Sequence, residues 1–235
     1  IVISAAGNLE HNQFIGLIGN AFRSIRAGGS PPERVKPKAC STVNLHYRDL
    51  EQLHICLAAQ GLPITDPRRY AFSIMNIILG GNMSSRLFQE IREKRGLAYA
   101  VYSFITSHMD TGMCGIYAGV APENALETIE VIVSEMGKIK SVPIDPSELR
   151  GAKEFLKGNL LMASESVDNQ MVRLAQNEIY FSRYVPLPEI LDKIESVTQD
   201  DIIDLVQTLF QSEQLVLTLL GPSADKGRYE GILAL

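Results

Sequence analysis

Hydrophobic positions along the chain follow two periods. Alternation or short continuous apolar runs at residues 1–6, 40–47, 52–59, 99–105, 113–120 and 214–220 predict strands. Between them, spacing of three and four predicts helices. From about Asn12, Phe14, Leu17, Ile18, Ala21, Phe22 and Ile25 mark one helix. Asp66 followed by Pro67 reads as the start of another, whose buried face runs through Tyr70, Ile74, Ile77 and Ile78 to the pair Gly80-Gly81. Pro122 opens a helix with Leu126, Ile129, Val133, Met136 and Ile139 inward. Asp145-Pro146-Ser147-Glu148 reads as a capping box for the next, with Leu149, Ala152, Phe155, Leu156 and Leu160 inward. Residues 166–181 form a further helix, and Pro186-Leu187-Pro188 breaks the pattern before short helices at 189–195 and 200–210. The runs at 40–47 and 52–59, joined across Arg48-Asp49-Leu50, read as a hairpin. Residues 113–120 pair back on 99–105 through the turn Met109-Asp110-Thr111-Gly112, and Gly115 and Gly119 clear one strand face for a close neighbour. Strands, paired helices and a returning strand predict an α+β fold with helices covering one face of a sheet.

Residues 27–38, AGGSPPERVKPK, are rich in Gly and Pro with mixed charge and read as a linker. What precedes them is one strand and one helix, too little to enclose a core. The chain also opens as IVISAAGN, inside an apparent strand and without Met, so it is expected to be a fragment. Unpartnered apolar faces in residues 1–26 make a homodimer one expectation.

Composition narrows the function classes. Across 235 residues, 46% hydrophobic and 21% charged content suits a globular core. A net charge of −5, with no basic tract longer than the mixed REKR at 92–95, argues against a nucleic-acid surface. No apolar run approaches the roughly 18 residues that suggest a membrane span. Cys40, Cys56 and Cys114 are an odd number without a Cys-x-x-Cys and read as small core residues, leaving the redox compartment open. His11, His46, His54 and His108 stand in no helical ligand spacing, so no metal site is expected in this chain. There is no Gly-x-Ser-x-Gly, and the glycine pair at 80–81 lacks the Lys-Ser/Thr of a phosphate loop. Asn82-Met83-Ser84 is formally a glycosylation sequon, but it abuts a helix cap.

The stretch the rest is organised around is residues 79–106, LGGNMSSRLFQEIREKRGLAYAVYSFIT. Ser84 or Ser85 is expected to cap a short helix whose buried face holds Leu87, Phe88 and Ile91, with Glu90 and Lys94 one turn apart outside and Gly96 ending it. In the following strand Tyr99, Val101, Ser103 and Ile105 alternate with Ala100, Tyr102 and Phe104, which puts Tyr99 and Tyr102 on opposite faces. The turn at Gly96 brings Tyr99 back toward Arg92. Spacing alone leaves Arg92 readable as a solvated arginine paired with Glu93, and Tyr99 as a core aromatic.

LGGNMSSRLFQEIREKRGLAYAVYSF resembles the second homologous domain of the pitrilysin and mitochondrial processing peptidase family, zinc metalloendopeptidases with an inverted His-x-x-Glu-His motif. The likeness extends to AAGNLEHNQFIGLIGNAF and YRDLEQLHICLAAQGLP. It implies that Arg92 and Tyr99 match the family's Arg-x6-Tyr pair, which lies in the metal-free half and holds the substrate carbonyl across a central chamber. It also implies that residues 1–26 are the tail of the first homologous domain, 27–38 the linker and 39–235 the second, metal-free domain. Zinc is then expected on the other half or on a partner chain, with an N-terminal homologous domain or partner subunit and a peptide as the partners. This chain would contribute no catalytic residue and be inactive alone. The loop GGNMSSRLF is shorter than the glycine-rich loop of the noncatalytic processing-peptidase subunit. The alternative is a catalytically inactive homologue serving as a structural or partner subunit.

Overall fold

The computed structural model describes residues 1–26, 28–29, 33–223, 225–229 and 231–233. Strands β1 (Thr42–Tyr47), β2 (Leu53–Gly61), β3 (Ala98–Ser107), β4 (Gly112–Val120) and β5 (Val216–Gly221) form one mixed sheet in the order β1-β5-β2-β4-β3. Only β1 and β5 run parallel. The helices are α1 (His11–Ala21), α2 (Arg69–Leu79), α3 (Ala125–Ser141), α4 (Pro146–Ser164), α5 (Val167–Phe181), α6 (Leu187–Glu195) and α7 (Gln199–Leu209), with a π-helix at Phe88–Lys94.

Alternation decides which sheet face is covered. In β2, Leu53, Ile55, Leu57 and Ala59 are buried, while His54, Cys56, Ala58 and Gln60 are only partly so. The buried row joins Ile116 and Ala118 of β4 and Leu217 and Leu219 of β5 under α2, α3 and α7, whose Phe72, Ile74, Ile129, Ile132, Ile202 and Leu205 complete the core. The α+β reading, with helices on one sheet face, therefore holds.

The order of strands differs from the sequence expectation. The runs around β1 and β2 do not pair as a hairpin, because β5 lies between them and bonds to both. An apolar strand such as VLTLLG hides both of its edges best in the sheet interior, while β1, with Asn44 and His46, tolerates the rim. The connection crosses one strand width and docks on β5, where Arg48 N donates to Gly221 O at 3.0 Å.

Residues 1–6 form no strand; they find no ladder partner among the described residues, and an apolar run becomes a strand only when one is present. Instead Ser4 Oγ donates to the Met171 carbonyl at 2.9 Å, and α1 contributes no buried residue. Of the expected linker, residues 27 and 30–32 lie outside the described ones, and residues 33–41 form neither helix nor strand. The capping box expected at 145–148 is half made: Asp145 accepts from Ser147 N, but Glu148 is drawn away to Arg86. The complete box is Thr198 with Asp201. Phe104 lies across Gly115, which is the close neighbour that the glycine called for.

Two features of this fold are directly testable. A Cβ on Gly80 would stand 2.5 Å from Ser103 N, a backbone atom of β3, so Gly80→Ala is expected to cost about 1–3 kcal/mol in urea unfolding; an unchanged midpoint would show that the contact yields freely. The three thiols are free, Cys40 is exposed, and burial pushes Cys114 up to about 12. Because the thiolate is the reacting form, iodoacetamide at neutral pH is expected to label Cys40 first and Cys114 only on unfolding. Mass spectrometry of the time course checks the order.

Candidate functional site

The segment between α2 and β3 is fixed at its entry by small residues. Gly80 O accepts from Ser103 N at 3.0 Å, and Ser103 Oγ donates to Asn76 O at 3.0 Å, so the end of α2 is tied to the middle of β3. The helix that follows is not capped by a serine hydroxyl. Asn82 instead closes the turn that leads into it: its Oδ1 accepts from Ser84 N at 2.8 Å and its carbonyl from Ser85 Oγ at 2.5 Å. A short amide side chain reaches back over its own turn more readily than the serines that follow it.

Arg86 then anchors the segment to α4. Its Nε and Nη2 donate to the two carboxylate oxygens of Glu148 at 2.8 and 2.6 Å, and this pairing pushes the guanidinium further above its ordinary value. Leu87 and Ile91, both fully buried, fasten the inner face, at about 1.5–3 kcal/mol for each side chain buried. Phe88, expected on that buried face, is only half-buried. Between these anchors the backbone takes the wider π-helical form, a geometry that recurs at functional sites.

Gly96 ends the helix in the left-handed region, with φ +63°. Gly96 N donates to Arg92 O at 3.2 Å and Leu97 N to Ile91 O at 2.9 Å, which turns the chain back along the helix. Strand β3 then begins with an irregularity: Ala98 pairs with Val120 and Ala100 with Gly119, leaving Tyr99 as the extra residue. Strict alternation grouped Tyr99 with Val101 and Ser103, which are buried. The bulge breaks that grouping, so Tyr99 is 78% exposed and Tyr102 47%. The two rings keep separate surroundings: Tyr99 lies against the Arg92 guanidinium, and Tyr102 against Tyr117 and Phe104.

The structure brings the two sequence-predicted residues together. The guanidinium carbon of Arg92 lies 4.9 Å from the centroid of the Tyr99 ring, and 4.9 Å from that of Phe88. Charge partners around it are distributed unevenly. Lys94 pairs with Glu90 at 2.5 Å and Arg95 with Glu127 at 3.2 Å, whereas among the described residues Arg92 has only Glu93, at 3.8 Å and without a hydrogen bond. The Arg92 side chain, 39% exposed, keeps N–H donors available beside the Tyr99 phenol. Such a pair can hold a carbonyl oxygen or an oxyanion.

Sequence reasoning passed over Phe88 as a neighbour of Arg92, and also a group on the uncovered sheet face. There His54 Nδ1 and Tyr117 OH are 2.8 Å apart, and Tyr117 and Tyr102 rings are 5.1 Å apart. Burial, and then Tyr102, push the Tyr117 hydroxyl up. The signal lay in same-face pairing across β2, β4 and β3, which strand order alone reveals.

The donor set does not fit zinc. No group of three His, Cys, Asp or Glu among the described residues is arranged to hold a metal ion, and His54 is engaged by a tyrosine.

A family model described as the peptidase M16 inactive domain matches residues 1–156. An uncharacterized zinc protease of Bacillus subtilis is 35% identical over 225 residues, which cover 96% of this chain and 54% of that protein. The chain thus spans about half the length of such relatives. Two solved structures share the fold: a protease from Helicobacter pylori, with TM-score 0.81 and 20% identity over 92% of this chain and 54% of that one, and a peptidase M16 inactive domain from Pseudomonas fluorescens, with TM-score 0.79 and 24% identity over 94% and 55%. By the family model and by its zinc-protease relatives, this chain belongs to the peptidase M16 family, as an inactive domain.

Proposed function

We propose that this chain is the substrate-binding, metal-free half of a zinc metalloendopeptidase that hydrolyses peptides inside a two-domain chamber. Residues 1–26 are then the tail of the first homologous domain, 27–38 the linker and 39–235 the second domain. The metal is held by the N-terminal homologous domain or by a partner subunit. The observation that carries the reading is the stacking of Arg92 on Tyr99 at 4.9 Å, with Glu93 at 3.8 Å as the guanidinium's acidic neighbour among the described residues and no hydrogen bond between them.

Their role is to orient an extended peptide. Attack on a peptide carbonyl builds negative charge on its oxygen, and a preplaced guanidinium or phenol donor stabilises that charge without reorganising. A purely structural subunit has no need of an arginine that hydrogen-bonds no carboxylate among the described residues and stacks on an exposed tyrosine.

The test is steady-state peptide hydrolysis by the assembled protein that carries this chain. Tyr99→Phe and Arg92→Ala are each expected to lower kcat by up to about a hundredfold, the scale for losing one oxyanion donor. The exposure of Tyr99 means that its melting temperature should hardly move. Unchanged turnover in both variants would discard the role. The isolated chain is expected to leave peptide intact, and chelator-sensitive hydrolysis by it alone would contradict the division of labour.

A further inference from the structure

Phe88 is the neighbour of Arg92 that nothing in the sequence pattern singles out. It lies four positions before Arg92 on the same π-helix, flanked in sequence by Leu87, which is fully buried, and followed by Ile91, also fully buried. Those two side chains fix the backbone on which the Phe88 ring stands, while Phe88 itself is half-buried. The Arg92 guanidinium carbon sits at the same 4.9 Å from the Phe88 centroid as from the Tyr99 centroid.

A guanidinium stacks through its flat face and donates through its edge. Contact with a ring therefore restrains an arginine without consuming its N–H groups, unlike an ion pair, which takes them. Each such contact at an exposed position is worth about 0.5–1 kcal/mol, enough to bias the rotamers of a long side chain. The neighbouring cations illustrate the alternative, since Lys94 and Arg95 are both held by carboxylates.

Resting on the reading above, we propose that Phe88 is a positioning residue for peptide binding: its ring holds the Arg92 guanidinium against Tyr99 with the donors free. The support runs in one direction, from the buried anchors to Phe88, to Arg92, to the exposed Tyr99 ring. Phe88 touches no substrate. It acts by keeping the two donors together.

The experiment is a double-mutant cycle on peptide turnover by the assembled protein. Phe88→Leu, which keeps apolar bulk and removes the ring, is expected to lower kcat/KM by about two- to fivefold, and Phe88→Tyr to keep most of the wild-type value. In an Arg92→Ala background, Phe88→Leu is expected to cause no further loss. A merely structural Phe88 would give the same loss in both backgrounds, and that result overturns the proposal. Wild-type turnover of Phe88→Leu overturns it too, while slow Arg92→Ala and Tyr99→Phe in the same assay leave the wider reading standing. Full activity of Arg92→Ala removes both. Where Phe88→Leu fails to accumulate folded, Phe88→Met provides the same comparison.

Discussion

The contact on which the rest depends is the approach of Gly80 to Ser103. One backbone hydrogen bond, together with the serine hydroxyl on Asn76, pins the last turn of α2 against the centre of the edge strand β3. The chain between them must leave and return over a fixed distance, and a side chain at residue 80 would push the two backbones apart. The excursion is then tightened from within. Leu87 and Ile91 sink into the core, and Arg86 grips Glu148 of α4 with two donors, Nε and Nη2. Both ion-pair partners are mostly shielded, so removing one would leave a poorly solvated charge. Glu148 is thereby diverted from the helix cap that its position in the sequence suggested.

The consequence is a division, in one short stretch, between cations that hydrogen-bond carboxylates and one that lies against rings. Arg86 is spent on structure, and Lys94 and Arg95 are neutralised at the surface. Arg92 is restrained by aromatic faces instead. Paired charges contribute little to binding because a ligand must first displace the partner. A stacked guanidinium keeps its electrostatic attraction for an incoming carbonyl or carboxylate, and its ordering entropy is met before the ligand arrives. This is why geometry says more about Arg92 than proximity of charge does.

How much of this could be read from the chain itself follows from which interactions are local. Helix faces at 70–78 and 126–139, the hairpin between β3 and β4, and the left-handed Gly96 depend on neighbours within a few residues, and their patterns were visible. The placement of β5 between β1 and β2 was not, since nothing in residues 40–59 records a strand that arrives more than 150 residues later. The bulge at Tyr99 was hidden for a related reason: alternation counts residues on one strand, and a bulge is a mismatch with its partner. Pairing Arg92 with Tyr99 came from family likeness joined to the turn at Gly96; Phe88 was legible only as part of the apolar helix face, and its contact with Arg92 was not.

The same Gly80 contact also limits how the edge of the sheet can be used. By the two-residue repeat of a strand, the N–H groups of Val101, Ser103 and Ile105 share the outer side of β3, and Ser103 N is already taken by Gly80 O. A peptide adding itself to β3 therefore cannot pair continuously along it. It must stop on one side of residue 103 or the other, and the side that begins at Tyr99 adjoins Arg92. An uninterrupted edge strand would invite association with any extended chain. An edge interrupted at its centre discourages open-ended pairing, yet leaves a short length of backbone beside the two donors. Under the proposed reading, the contact that fixes the site in place also sets where a substrate can lie.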